Sequence, residues 1–210
     1  MITDAVFRTA FWVLLAGLWV MRVYFMRQVR PSGERPRLNR KTIEREGRGL
    51  FIGRTALQVF LGAIFVLYAY DSPWLRMFSI SLPDWLRWAG LGLGLGGFVL
   101  WTWTQAALGK EWSPLLQVRE QHHLVASGPY AWVRHPMYTA MFGVGIALAF
   151  LAANWCFVLS AVAMIVGFVV RAPREERMML EAFGEAYEAY MQETGRFFPR
   201  PRMLLAKIRR

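Results

Sequence analysis

Two short polar blocks stand apart in a chain that is otherwise strongly apolar. The first runs His122, His123, Leu124, Val125, Ala126, Ser127, Gly128, Pro129, Tyr130 and resumes at Arg134, His135, Pro136, Met137, Tyr138. The second is Arg171, Ala172, Pro173, Arg174, Glu175, Glu176. Pro136 suits the first turn of a helix, where its missing N–H is not needed. Arg134 and His135 then stand at the positive end of that helix, where an anion is favoured. Arg134 can fork to a carboxylate better than a lysine can. Tyr130 and Tyr138 offer rings and hydroxyls to a flat or cationic group, and Gly128-Pro129 reads as a turn. Pro173 is expected to open a further helix, with Glu175 and Glu176 in its first turn. Those acids suit an ammonium, a ribose hydroxyl or Arg134 equally well. A site holding positive, negative and aromatic groups suits a zwitterionic, ring-bearing small molecule.

Other chemistries lack their residues. His122, His123 and His135 are the only histidines, and no HExxH or cysteine pattern accompanies them, so no catalytic metal is expected. No G-x-S-x-G elbow is present for a serine hydrolase. The single cysteine, Cys156, lies in an apolar run and reads as a packing residue.

The elements that must position these blocks are membrane helices. The chain has 210 residues, of which 56% are hydrophobic, and this composition excludes disorder, a disulfide scaffold and a long soluble coiled coil. A net charge of +11 by itself would suggest nucleic acid. The apolar runs point instead to anionic lipid headgroups, with no nucleic-acid partner. Apolar segments are expected at about 6–25, 50–70, 86–108, 137–153 and 155–170, the last two interrupted only by Asn154. The first is expected to stay in the mature protein as a helix, since no basic stretch precedes it. Arg8 and Arg22, near its ends, are expected to snorkel. In the third, Gly90 with Gly94 and Gly92 with Gly96 are spaced for close helix packing, outside any dinucleotide-binding context.

The predicted fold is therefore all-α, an integral membrane protein with five transmembrane helices. The last two form a tight hairpin that brings the two polar blocks to one membrane face. Residues 22–54, 109–136 and 171–210 together hold 22 of the 25 basic residues, which places them in the cytoplasm. Five crossings then put the N-terminus outside and the C-terminus in the cytoplasm. Beyond Glu176 the spacing of Met178, Met179, Phe183, Tyr187 and Tyr190 predicts a cytoplasmic cap helix interrupted near Gly184. Phe197, Phe198 and Pro199 are expected to dock on the bundle or enter the headgroup layer. The basic loop, residues 27–54, is expected to set topology and lie along the membrane surface.

The segments HHLVASGPYAWVRHPMYTAMF and RAPREERMMLEAFGEAYEAYMQETGRFFP resemble the isoprenylcysteine carboxyl methyltransferase family and the related integral-membrane phospholipid methyltransferases. The resemblance covers roughly residues 122–199. It rests on both blocks and their hairpin spacing, because RHP-x-Y alone is shared with membrane sterol reductases. It implies one integral-membrane domain, 1–210, with variable helices and the basic loop in 1–114 and a cofactor-binding core in 115–200. It implies S-adenosylmethionine as cofactor, with the family's binding pattern falling on His123, Leu124, Val125, Gly128, Tyr130, Arg134, His135, Pro136, Tyr138, Glu175 and Glu176. Arg171 matches an arginine that the family places near the reacting groups. Thr139, Ala140 and Met141 follow Tyr138 where the family often has an early glycine, here delayed to Gly143.

The activity so implied is methyl transfer to a lipid-like or prenylated acceptor, foremost the carboxylate of an isoprenylcysteine or a similar lipid. Arg171, Glu176 and His135 would be the catalytic residues. Arg171 would hold the acceptor, and Glu176 or His135 would take a proton only if the acceptor were an amine. The alternatives are a phosphatidylethanolamine-type N-methyltransferase, an NADPH-dependent sterol-type reductase and a non-enzymatic membrane scaffold. The location implied is a bacterial inner membrane, with the site facing the cytoplasm.

Overall fold

The computed structural model describes residues 2–29, 47–109 and 124–200, which form seven α-helices and a short 3-10 turn. Helix α1 spans Ile2–Val29, α2 Arg48–Ala69, α3 Pro73–Arg76 and α4 Asp84–Leu108. The 3-10 turn Gly128–Ala131 leads into α5 Pro136–Ala152, α6 Trp155–Phe183 and α7 Glu185–Glu193. His122, His123 and most of the basic loop lie outside the described residues.

The most extensive packing is α4 on α5, and glycine makes it possible. A Cβ added at Gly90 would fall 2.7 Å from the Phe150 Cβ, at Gly94 2.9 Å from the Ala147 Cβ, and at Gly97 2.9 Å from the Ala140 carbonyl oxygen. Gly92 and Gly96 meet nothing within 4 Å. The close-packing stripe is thus Gly90, Gly94 and Gly97, one face of a 3.6-residue helix, and the expected Gly92/Gly96 pair is not part of it. Around this seam Phe7, Phe11 and Leu14 of α1, Ile64 of α2, Leu151 of α5 and Phe157 of α6 form the buried apolar core. Phe11 sits 5.2 Å from Phe157 and 4.7 Å from Tyr68, ring centre to ring centre.

The hairpin of α5 and α6 turns at Ala153, in the left-handed conformation, and Asn154. The Asn154 Oδ1 accepts from the Cys156 N–H at 2.9 Å, capping α6, while Nδ2 donates to the Leu75 carbonyl at 2.8 Å. Cys156 is buried in the core, as its apolar setting predicts. The Arg8 guanidinium donates to the Tyr68 and Ala69 carbonyls at 2.6 and 3.0 Å and lies 3.0 Å from Asp71, closing the negative end of α2.

Five crossings are not what forms. Among the described residues, three helices are long and apolar enough to cross a membrane: Thr3–Arg27, Arg48–Ala69 and Trp155–Phe183. Helix α5 has 17 residues, about 25 Å of rise, short of a hydrocarbon core of about 30 Å. Helix α4 has 25 residues, but five glycines, four tryptophans, two threonines and Gln105 dilute its apolar character. With the fifth crossing goes the topology derived from it, N-terminus outside and C-terminus cytoplasmic.

A second correction concerns Pro173, which opens no new helix. It lies inside α6, which continues unbroken from Trp155 to Phe183. An internal proline removes one i→i−4 hydrogen bond. The neighbouring turn is held regardless, because Ala172 is wholly buried against Tyr138 and Phe142. The Arg171 Nε also donates to the Glu175 Oε1 at 2.8 Å, one turn on. The helix ends instead at Gly184, φ 52°, where α7 begins.

Candidate active site

At the end of the bundle opposite the hairpin turn, three stretches of chain converge. The first enters through Gly128, whose φ of 60° lets the backbone reverse against Ala107 and Trp103. It runs through the 3-10 turn to Val133, and His135 then precedes Pro136 at the start of α5. The second is the last part of α6, carrying Arg171 to Glu176. The third is the strand-like return after α7, residues 194–197. Val133 pairs with Gly195 in a parallel bridge, the Arg134 N–H donates to the Gly195 carbonyl at 2.8 Å, and the His135 N–H donates to the Arg196 carbonyl at 3.0 Å. The Tyr190 hydroxyl donates to the Tyr130 carbonyl at 2.8 Å, tying α7 to the 3-10 turn.

Glu176 is the hub. Its side chain is 4% exposed, and its Oε1 accepts from the Arg134 Nε at 2.8 Å. Arg196 donates to both oxygens, Nε to Oε1 at 3.1 Å and Nη2 to Oε2 at 2.6 Å. The remaining reach of Arg134 is spent on the backbone, with Nη1 donating to the Met191 and Thr194 carbonyls at 3.2 and 2.5 Å. Of the three partners that Glu175 and Glu176 suit, Glu176 takes Arg134. Buried charges need such compensation, since leaving one unpaired is costly.

His135 lies between the two acids, Nε2 3.4 Å from the Glu176 Oε1 and Nδ1 3.5 Å from the Glu175 Oε2. Its Nε2 is buried and makes no hydrogen bond. Beside it stands an aromatic wall. The Tyr138 ring stacks on the imidazole at 5.2 Å and on Phe168 at 4.3 Å, and Phe197 packs 5.7 Å from His135 and 5.3 Å from Phe142. Both faces of the Tyr138 ring are therefore covered. The Thr139 hydroxyl donates to the Phe197 carbonyl at 2.6 Å and holds that residue in place. Burial pushes the Tyr130 hydroxyl well above the ordinary phenol range, and Tyr190 up to about 12 despite the charge of Arg134.

The structure thus brings together Gly128, Tyr130, Arg134, His135, Pro136, Tyr138, Arg171, Glu175 and Glu176. Leu124 and Val125 lie half-buried on the chain leading into the turn, and His123 lies outside the described residues. Arg196 is the site residue that sequence reasoning passed over. It sits beside the motif-bearing Phe197, but no spacing rule links position 196 to position 176. Of the aromatic pair that follows, Phe197 docks against Tyr138 and Phe142, whereas Phe198 is 69% exposed.

Residues 90–181 match the model of the isoprenylcysteine carboxyl methyltransferase (ICMT) family. The match begins inside α4, ahead of His122, and so takes in the glycine stripe and the first two stretches of the site, but not the return at 194–197. The chain is 33% identical over 118 residues to a protein-S-isoprenylcysteine O-methyltransferase of Tribolium castaneum, covering 55% of this chain and 42% of that protein. It is 35% identical over 126 residues to the cobalt-zinc-cadmium resistance protein CzcN of Cupriavidus metallidurans, covering 54% of each. The chain therefore spans about half the length, or less, of these relatives. Among solved structures it is similar to the eukaryotic intramembrane Ras methyltransferase ICMT, with a TM-score of 0.56 and 25% identity over 89% of this chain and 66% of that one.

Proposed function

We propose that this chain is a member of the isoprenylcysteine carboxyl methyltransferase family and transfers a methyl group from S-adenosylmethionine to a lipid-like acceptor at the membrane. The acceptor group is a carboxylate, that of an isoprenylcysteine or a similar lipid. The observation that carries this reading is the convergence of 128–138, 171–176 and 194–197 on one buried charged and aromatic site.

The residues fit the cofactor at one point above others. A buried ring nitrogen with no hydrogen-bond partner, His135 Nε2, is the kind of group that a ligand completes. Tyr130, Tyr138, Glu175 and the backbone from Leu124 to Gly128 are the other groups that would hold it. When bound, S-adenosylmethionine supplies an electrophilic methyl, whose C–S bond breaks as the acceptor's O–C bond forms and the two opposite charges cancel.

The chain's own contribution is positional. Glu176 is held by Arg134 and Arg196 and acts as an ionised strut, not as a base. Through it Arg134 fixes the start of α5 relative to the return at Thr194. Arg171, kept in place by Glu175, presents a guanidinium for the acceptor's anion. A carboxylate acceptor needs no proton removed, and His135 is the side chain suited to hold one should the acceptor be an amine. The apolar wall of Tyr138, Phe142, Phe168 and Phe197 excludes water beside the reacting groups.

The site faces the cytoplasm of a bacterial cell membrane in this reading, because the sequence stretches 22–54, 109–136 and 171–210 carry 22 of the 25 basic residues and CzcN is a bacterial relative. Calorimetric titration of the detergent-purified protein with S-adenosylmethionine and, separately, NADPH tests the proposal. S-adenosylmethionine binding that is lost in the Arg134→Ala, His135→Ala double variant is the expected result. A one-methyl mass shift on farnesylcysteine should follow. Binding of NADPH alone would replace this reading with a reductase.

A further inference from the structure

The end of the bundle away from the site carries a collar of exposed rings. Helix α2 ends here at Ala69, α4 begins at Asp84 and α6 begins at Trp155. Helix α1 starts at the same level, since its Asp4 lies 2.7 Å from Arg87 near the start of α4. One end of each of the three long apolar helices therefore lies at this level. Tyr70, Trp74, Trp85, Trp88 and Trp155 are exposed here, and Met77 is 79% exposed. Several tryptophans exposed at one level is the pattern of a membrane–water interface, where the ring buries its apolar body and keeps its N–H wet.

The connection from α2 to α4 is built for that level. It folds over the hairpin turn of α5 and α6 and takes up the turn's backbone groups. The Ile80 N–H donates to the Ala153 carbonyl at 2.7 Å, and the Trp155 N–H donates to the Phe78 carbonyl at 2.9 Å. The Asn154 amide donates to the Leu75 carbonyl at 2.8 Å. Near hydrocarbon such groups must be satisfied by the protein itself. Leu75 and Asn154 are buried beneath this cover, while Trp74 and Met77 stay exposed, the Trp74 ring 5.1 Å from Phe78. One side of the connection seals the turn, and the other presents rings outward.

Charge decides which lipid surface fits. Residues 70–88 hold two acids, Asp71 and Asp84, and two bases, Arg76 and Arg87. Asp71 lies 3.0 Å from Arg8 and 3.8 Å from Arg76, and Arg87 pairs with Asp4. The collar has no surplus charge to offer an anionic headgroup, in contrast to the basic stretches of the chain.

We infer that segment 70–88 is an interfacial anchor, seated by its aromatic rings and not by charge in the headgroup layer of the leaflet away from the site.

The test uses the full chain in phosphatidylcholine nanodiscs. Cys156→Ala removes the one native thiol, and Met77→Cys then takes a nitroxide. Its depth is read from EPR saturation by oxygen and by a water-soluble nickel chelate. The label is expected roughly 5–10 Å deep, at the headgroup–acyl boundary, and far shallower than one on Val162→Cys within α6. Adding phosphatidylglycerol or salt should leave the depth unchanged. Trp74→Ser, Trp85→Ser and Trp155→Ser together should raise nickel access at position 77 at least roughly threefold. Their melting temperature in detergent should hold, because these rings are exposed. The inference is overturned if the label is as open to nickel as one in bulk water, which would leave the collar to a protein partner. A label as deep as that on Val162→Cys overturns it too, as does one drawn deeper by phosphatidylglycerol. So does a folded triple variant whose label has not moved. The Met77→Cys measurement keeps every ring of the collar, and so decides even where the triple variant fails to fold.

Discussion

Arg196 reaches back twenty residues to grip both oxygens of Glu176, at 3.1 and 2.6 Å, while Arg134 holds the same carboxylate from the opposite block. One acid on α6 therefore fastens both the entry to α5 and the return after α7. Substituting Glu176→Gln leaves Arg134, 6% exposed at the side chain, without its counter-charge. Breaking such a buried pair costs about 3–5 kcal/mol. The expected outcome is a clear fall in melting temperature together with at least a roughly tenfold loss of S-adenosylmethionine affinity. Arg196→Ala should cost less, about 1 kcal/mol, because that side chain is 41% exposed. Thermal melts of both variants in detergent check the order, and equal losses would contradict the hub role.

The seam between α4 and α5 makes a prediction that discriminates between neighbouring glycines. Gly97→Ala drives a methyl to 2.9 Å from the Ala140 carbonyl oxygen, with Val144 close by. Such overpacking costs about 1–3 kcal/mol. Gly92→Ala and Gly96→Ala meet nothing within 4 Å and should instead gain about 0.5–1 kcal/mol of helix propensity. Melting of the three single variants is the check.

Arg87 is expected to matter far more than the acid it pairs with. Its side chain is 9% exposed, whereas Asp4 is 70% exposed. The guanidinium also donates to the Leu151 carbonyl at 2.9 Å and lies 4.1 Å from the Phe7 ring. Asp4→Ala should cost under about 1 kcal/mol. Arg87→Ala should cost several times that, since it strips a buried carbonyl at the end of α5 of its donor and opens a void. A double-mutant cycle measured by unfolding would show a small coupling between the two.

Alkaline pH should loosen the junction of α7 with the 3-10 turn. Burial holds the Tyr190 hydroxyl at about 12 against an ordinary 10.0. The folded state therefore keeps a proton that the unfolded chain releases, and stability falls as pH rises from about 10 to about 12. Below about 10 the contribution is fully present. Melting temperature against pH should show this decline, and Tyr190→Phe should reduce its steepness while lowering stability near neutrality through loss of the bond to Tyr130.

Much of this molecule was legible from residue types and spacing. Pro136 starts a helix, Asn154 turns a hairpin and Gly184 divides two helices, because each is a local matter of φ, caps and missing donors. The two polar blocks were recognisable for the same reason. Composition and charge sufficed for membrane helices, and the motifs sufficed for the resemblance to the family whose model matches residues 90–181.

What local rules could not decide was length and partnership. Pro173 reads as a helix start, yet packing of Ala172 and the Arg171–Glu175 pair carry α6 through it. Helices α4 and α5 read as crossings, but one is too dilute and the other too short, so three long apolar helices remain among the described residues. Which glycines touch, that Arg134 meets Glu176, and that Arg196 returns to the same carboxylate all depend on contacts between residues far apart in the chain. A sequence period places a side chain on a face. Only the packing of one face on another decides what it meets, and for a buried charge that choice is made by the cost of leaving it unpaired.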